Sequence, residues 1–200
     1  MNFESLGPSA VRAIRQRDFL NTWLRTYVRR RELPALADFQ PACLDEERTD
    51  LMYYDIERDG EQVRYRATFA GKRLIDSYGF SAVGHFLQDL LAPPIWNHVE
   101  PIYRACVDRA LPVYSAFTVV DVEGQQVDYE RLMLPFGEGR EVRSMIASIK
   151  SICIEGRFVN KNLMRPEDHA PKYSFRGVID RDLANTRSTA AIPAHDVVEI

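Results

Sequence analysis

The stretch from Val63 to Leu91, VRYRATFAGKRLIDSYGFSAVGHFLQDLL, constrains the fold more than any other. Val63, Tyr65, Ala67 and Phe69 alternate with Arg64, Arg66 and Thr68, the period-two pattern of a half-buried strand. Gly71, Gly79 and Gly84 then punctuate short apolar runs at Leu74-Ile75 and at Phe86, Leu87, Leu90 and Leu91. The chain must therefore leave a sheet and wind through brief helical turns.

The flanking segments extend this pattern in both directions. Upstream, Leu51 to Glu57 is rich in aromatic and aliphatic residues, and Arg58-Asp59-Gly60-Glu61 is a hairpin signal because Asp-Gly suits the positive φ of a tight turn. Downstream, Pro93 and Pro94 precede Trp96 to Ala110, where Trp96, Val99, Tyr103, Cys106, Val107 and Ala110 recur at helical spacing. Val113 to Val122, Gln126 to Pro135 and Glu141 to Ile154 then read as three strands, joined by turns at Glu123-Gly124 and Gly137-Glu138-Gly139. The order is α+β: a five-stranded antiparallel sheet with helices across one face.

The N-terminal segment reads as a long helix from about Ala10 to Leu33, with Ser9 as its cap and Leu33-Pro34 as its end. Leu20, Trp23, Leu24, Tyr27 and Val28 form one apolar stripe that must bury on the sheet or on the same helix of a second chain. Residues 34–49 are a connection, with a short helix over Ala42 to Glu47. The domain layout is thus a helix for packing or dimerisation over 1–33, a globular domain over 34–155 and a tail, partly extended or mobile, over 156–200. In that tail Val178-Ile179 and Val197-Val198 are too short to predict strands.

Charge is unevenly placed. The net charge is -3. Seven arginines between Val11 and Glu32 (Arg12, Arg15, Arg17, Arg25, Arg29, Arg30, Arg31), against Asp18 and Glu32, give that segment +5 and leave -8 elsewhere. Such a helix could attract nucleic acid or an anionic membrane surface. The acidic remainder would repel a polyanion, so a solvated helix face is the favoured reading and no nucleic acid is expected. No run of roughly eighteen apolar residues could span a bilayer, and the first residues lack a signal-peptide layout, so a cytoplasmic location is expected. Cys43, Cys106 and Cys153 are odd in number and widely spaced, which points to reduced thiols and not to a disulfide framework or zinc site.

RYRATFAGKRL, YGFSAVGHFLQDLL, YERLMLPFGEGREV and SMIASI together resemble the bacterial family of stand-alone PAS-like proteins. Arg64, Tyr65, Arg66, Ala70, Gly71, Gly79 and Gly84 match the family's first motif. Tyr129, Glu130, Arg131, Leu132, Leu134 and Pro135 match its second. The likeness runs from about Leu20 to Ile154, with Phe69 and Phe136 departing from the usual residues. It implies a PAS-like fold and a regulatory, non-enzymatic module in bacterial signalling, with a signalling protein as partner and the N-terminal helix as a candidate homodimer surface.

The side chains then suggest what such a module could hold. Tyr129 and Arg131 share one strand face and Glu130 takes the other. If the first two face the helices, a phenol and a guanidinium enter an apolar cavity suited to an apolar or anionic metabolite. If Arg131 instead faces solvent, Glu130 pairs with Arg143 on the neighbouring strand. The expected ligand-binding set is Tyr65, Phe69, Trp96, Tyr103, Phe117, Tyr129 and Arg131.

No catalytic or metal-ligating residue is assigned. GxSxG and a phosphate-cradling glycine loop are missing, and Gly84-His85-Phe86-Leu87-Gln88 echoes only the end of the flavin-photosensor motif, without its cysteine. Haem would need His85 or His98 as an axial ligand and is disfavoured, and His169 and His195 lie in the tail; no cofactor is expected. A small isomerase- or dehydratase-like enzyme is the alternative, and it would need Glu130 or Asp55 inside the same cavity.

Overall fold

A computed structural model of the protein describes residues 3–30, 32–60, 62–120, 126–152 and 172–180. Cys153, Arg31, His169, His195, the Glu123-Gly124 turn, Val197-Val198 and most of the tail lie outside the described residues.

Among the described residues seven strands form one sheet in the order β1-β7-β4-β5-β6-β2-β3. They are β1 (Glu4–Leu6), β2 (Leu51–Asp59), β3 (Gln62–Ala70), β4 (Val113–Val120), β5 (Gln126–Glu138), β6 (Glu141–Ile152) and β7 (Lys172–Ile179). The five strands read from sequence are all present, and β2 pairs with β3 as the hairpin expected from Asp59-Gly60. The expectation of five is corrected to seven. β7 runs antiparallel along β4, and β1 lies parallel to β7. Both were illegible because their stability is borrowed: three residues of β1 and the mixed KYSFRGVI of β7 have little apolar periodicity of their own; β7 forms where the open edge of β4 offers backbone partners, and β1 forms on the edge that β7 then presents.

Among the described residues there are five α-helices: α1 (Ile14–Arg30), α2 (Leu44–Glu47), α3 (Lys72–Tyr78), α4 (Leu87–Leu90) and α5 (Pro93–Arg109). α1 starts four residues later than expected, because Pro8 opens a separate 3-10 turn over Pro8–Ala10 and Val11 is extended at φ -73°, ψ 120°. α5 starts earlier, at the two prolines, whose missing N–H groups cost nothing in a first turn. It ends at Ala110, left-handed at φ 52°.

The break after β3 has a steric cause. A Cβ on Gly71 would collide with the backbone carbonyl oxygens of Arg48 and Thr49, so only glycine lets the chain turn there into α3. Gly79, at φ 78°, then ends α3 in the left-handed conformation.

The sheet is covered on both faces. α5 packs on one through Tyr103, whose ring lies 5.4 Å from Tyr54 and 5.2 Å from Tyr65. α1 packs on the other. Phe19, Leu20 and Trp23 are buried, Phe19 meets Phe39, which meets Phe136, and the Trp23 indole donates to the Pro135 carbonyl at 2.7 Å. Of the apolar stripe read from α1, Leu20 and Trp23 are buried on the sheet and Leu24 and Tyr27 are half-buried beside them, whereas Val28, 53% exposed, is not part of this contact.

Candidate functional site

The face under α5 collects six of the seven residues expected to bind a ligand. Tyr65 comes from β3, Trp96 and Tyr103 from α5, Phe117 from β4, and Tyr129 and Arg131 from β5. Phe117 and Tyr129 are register partners, and their rings stack at 5.3 Å. The Arg131 guanidinium lies 4.8 Å from the Phe117 centroid and 5.6 Å from that of Tyr103. Tyr65 bridges Tyr103 to Trp96, 6.0 Å away. The result is one continuous aromatic row around a cation, a setting in which ring quadrupoles stabilise positive charge.

Phe69 is not in the row. β2 and β3 shift register between Tyr53 and Tyr54: Tyr53 faces Phe69, but Tyr54 faces Ala67, leaving Thr68 as an extra residue. That bulge inverts the alternation, so Phe69 packs on Tyr53 at 5.1 Å with Arg48 over its ring at 4.9 Å. Strict period-two reading cannot see a bulge.

The two faces of β5 separate opposite charges. Arg131 is only 4% exposed and points toward α5, while Glu130, 1% exposed, lies beneath α1. The solvent-facing alternative for Arg131 is thereby overturned. Glu130 pairs in register with Lys150, and Arg143 instead meets Glu138 and Glu141. Around Glu130 are the Tyr114 hydroxyl, the Ala13 amide and Arg12, whose Nη1 is 3.8 Å away. Gln16, fully buried, donates to the Ser148 carbonyl at 3.0 Å and approaches the Glu130 carbonyl at 3.4 Å, tying α1 to the main chain of β5 and β6. A glutamine on the helical stripe of Phe19, Leu20 and Trp23 was the legible signal for this contact.

Burial is the largest influence on Glu130 and raises its carboxyl pKa above 4.5, against Tyr114, Arg12 and Ala13, which lower it. Between 4.5 and that raised value the folded chain holds a proton that the unfolded chain has released, so stability falls as pH rises through this window. Glu130→Gln removes the dependence. Its stability relative to the parent should be highest near neutrality and decline as pH falls toward 4.5, measured by urea midpoints across that range; a pH-independent difference would contradict it.

A second feature lies at the free edge of β3. An open groove of about 470 Å³ is lined by Val63, Arg64, Trp96, Asn97, Glu100 and Arg104, among others, and of the expected ligand residues only Trp96 reaches it. Arg64 pairs with Asp89 at 2.9 Å and Arg104 with Glu100 at 3.1 Å. Beside it the Gln88 carboxamide substitutes for a neighbouring peptide: it accepts from the Tyr65 amide at 3.2 Å and donates to the Val63 carbonyl at 3.0 Å. The strand edge is thus closed by a side chain.

Cys43 is pushed up to about 12 by burial and the Asp18 carboxylate, and burial also raises Cys106, so both thiols stay protonated near neutrality. His85 is exposed, and His98 Nδ1 sits 2.8 Å from the Pro94 carbonyl. Among the described residues no cluster of His, Cys, Asp and Glu could hold a metal, and no helix is long and apolar enough to cross a membrane.

Known proteins add little beyond this geometry. No protein-family model matches the chain, and no curated protein matches it. Among solved structures, one of a light-oxygen-voltage domain, studied with a flavin analogue, is similar at 13% identity and a TM-score of 0.41, over 56% of this chain and 83% of that one. The element order is two strands, three helices, then three strands, with β3-β2-β6-β5-β4 contiguous in one sheet.

Proposed function

We propose that the protein is a non-enzymatic PAS-type module for sensing or protein docking in bacterial signalling, which takes a small amphipathic anion on the α5 face of the sheet. In this reading residues 1–33, which carry β1 and α1, form the output segment, 34–155 the sensing domain, and 156–200 a tail that lends the sheet a strand. The observation that carries it is the sorting of charge on β5: Arg131 sits among Tyr103, Phe117 and Tyr129, and Glu130 lies on the far side of the sheet. A guanidinium framed by rings suits a carboxylate with an apolar body. An isomerase or dehydratase would need a carboxylate base in the same place. Glu130 is beneath α1 and Asp55 is exposed, which supports the sensor over the enzyme.

β5 also supports a route outward. Consecutive residues touch the aromatic row and the base of α1, so a ligand that displaced Arg131 would disturb the strand to which Gln16 is bonded.

The test is thermal and fluorescence titration with decanoate, benzoate and, as an uncharged control, decanol. A carboxylate should raise the melting temperature saturably and change Trp96 emission; at a hundredfold excess over Kd, linkage gives about 2.7 kcal/mol of stabilisation. Arg131→Met keeps most of the side-chain volume and should weaken carboxylate binding about tenfold or more, the scale of a lost charged hydrogen bond. Equal responses to decanoate and decanol would remove the anion from the proposal. No response to any of the three would reduce the protein to a docking module.

A further inference from the structure

α1 has a second face that nothing in the described chain covers. Ile14, Arg17, Asn21, Arg25, Val28 and Arg29 fall within an arc of about 120° at 100° per residue, opposite the buried Gln16, Phe19, Leu20 and Trp23. All six are exposed, Ile14 by 66% and Val28 by 53%. These two are half of the four large apolar side chains exposed among the described residues. They stand fourteen residues apart, about 21 Å along the helix, with the arginines between and beside them; Asp18, inside the same arc, is half-buried and accepts from the Cys43 thiol at 3.3 Å. Arg25 donates to the Thr22 hydroxyl at 2.9 Å, and among the described residues no ion pair engages Arg17, Arg25 or Arg29.

We infer that this face of α1 is the docking surface for an acidic amphipathic helix of a partner protein, its carboxylates meeting Arg17, Arg25 and Arg29 and its apolar side chains meeting Ile14 and Val28. The inference deepens the reading of the chain as an interaction module by giving its partner a chemistry.

Charge decides among occupants. A second copy docking through the same face would set three arginines against three, and like charges across an interface cost free energy. A nucleic acid would engage the arginines through its phosphates but leave Ile14 and Val28 in water. A membrane would need large apolar anchors, yet Trp23 is buried on the sheet and Tyr27 is stacked on it at 4.9 Å, leaving only two β-branched side chains to insert. An acidic helix satisfies both kinds of group at once, because residues at i and i+4 on a facing helix can present carboxylates beside an apolar row.

The experiment uses the whole chain and two labelled helical peptides of equal negative charge, one with leucines placed to meet Ile14 and Val28, the other with serines there. Fluorescence anisotropy at low and physiological salt should show the leucine peptide binding about tenfold more tightly or better, the scale of two modest apolar anchors. Ile14→Ser with Val28→Ser should erase that difference while leaving the charge-driven component. Arg17→Glu, Arg25→Glu and Arg29→Glu together should abolish binding of both peptides. All five positions are exposed, and an unchanged melting curve would confirm folding of each variant.

Four outcomes would overturn the inference: equal affinity for both peptides, binding that survives the triple arginine change, tighter binding to phosphatidylserine vesicles or duplex DNA than to the leucine peptide, or a self-associated dimer that Ile14→Ser with Val28→Ser dissolves. None depends on Arg131, so failure of the carboxylate titration and failure here are separately visible.

Discussion

Trp23→Ala should lower stability by about 4 kcal/mol, within the range of roughly 3–5 kcal/mol for emptying a buried tryptophan site. Trp23 is fully buried between α1 and the sheet, and its indole donates to the Pro135 carbonyl at 2.7 Å. Removing it leaves a void among Phe19, Leu20 and Tyr27 and an acceptor with no donor. Tyr27 also loses the ring on which it stacks. For a chain of this size the change corresponds to a drop of roughly 8–16 °C in melting temperature. Trp23→Phe retains most of the packing and loses the donor, so it should cost well under half as much. Urea unfolding of both variants checks the ordering. A loss of less than about 1 kcal/mol for Trp23→Ala would mean that α1 is not held to the sheet as described.

Lys150→Met should have the next largest effect, a loss of about 3–5 kcal/mol. Lys150 on β6 bonds Glu47 at 2.7 Å and Asp50 at 2.9 Å, and those two side chains are 1% and 3% exposed. Arg15 from α1 reaches Glu47 at 3.2 Å, and Arg73 from α3 reaches Asp50 at 3.1 Å, so the cluster joins α1, the α2 connection, α3 and the sheet. Without the ammonium, two buried carboxylates share only half-exposed guanidiniums. The cost arises from leaving charge uncompensated, so adding Glu47→Gln and Asp50→Asn should restore most of the loss. Denaturation of the single and triple variants decides it: a triple variant no better than the single one would show that packing, not charge, is what Lys150 supplies.

The same cluster shows how far sequence reading reached. Glu47 falls in the polar connection over 34–49, Asp50 just beyond it, and Lys150 inside the strand read over Glu141 to Ile154; each is unremarkable among its sequence neighbours. Only the fold places them together, because Lys150 is a hundred residues from Asp50. Glu130 and Arg131 behaved differently. Their opposite facing followed from strand geometry alone, and the tertiary structure had only to choose which face met α5.

Local periodicity was sufficient for β2 to β6, for α5 and for the apolar stripe of α1, since each carries its own apolar pattern and needs no distant information to be recognised. Gly71 and Gly79 likewise announced the exit from β3 into α3. Three things depended on the assembled molecule. β7 is a strand because β4 has an edge to fill and β1 because β7 then has one, the Thr68 bulge moves Phe69 off the aromatic row, and a distant Lys150 makes buried carboxylates of Glu47 and Asp50 tolerable. In each case the deciding free energy comes from a partner remote in sequence: a backbone edge, a register set by the neighbouring strand, or a counter-charge.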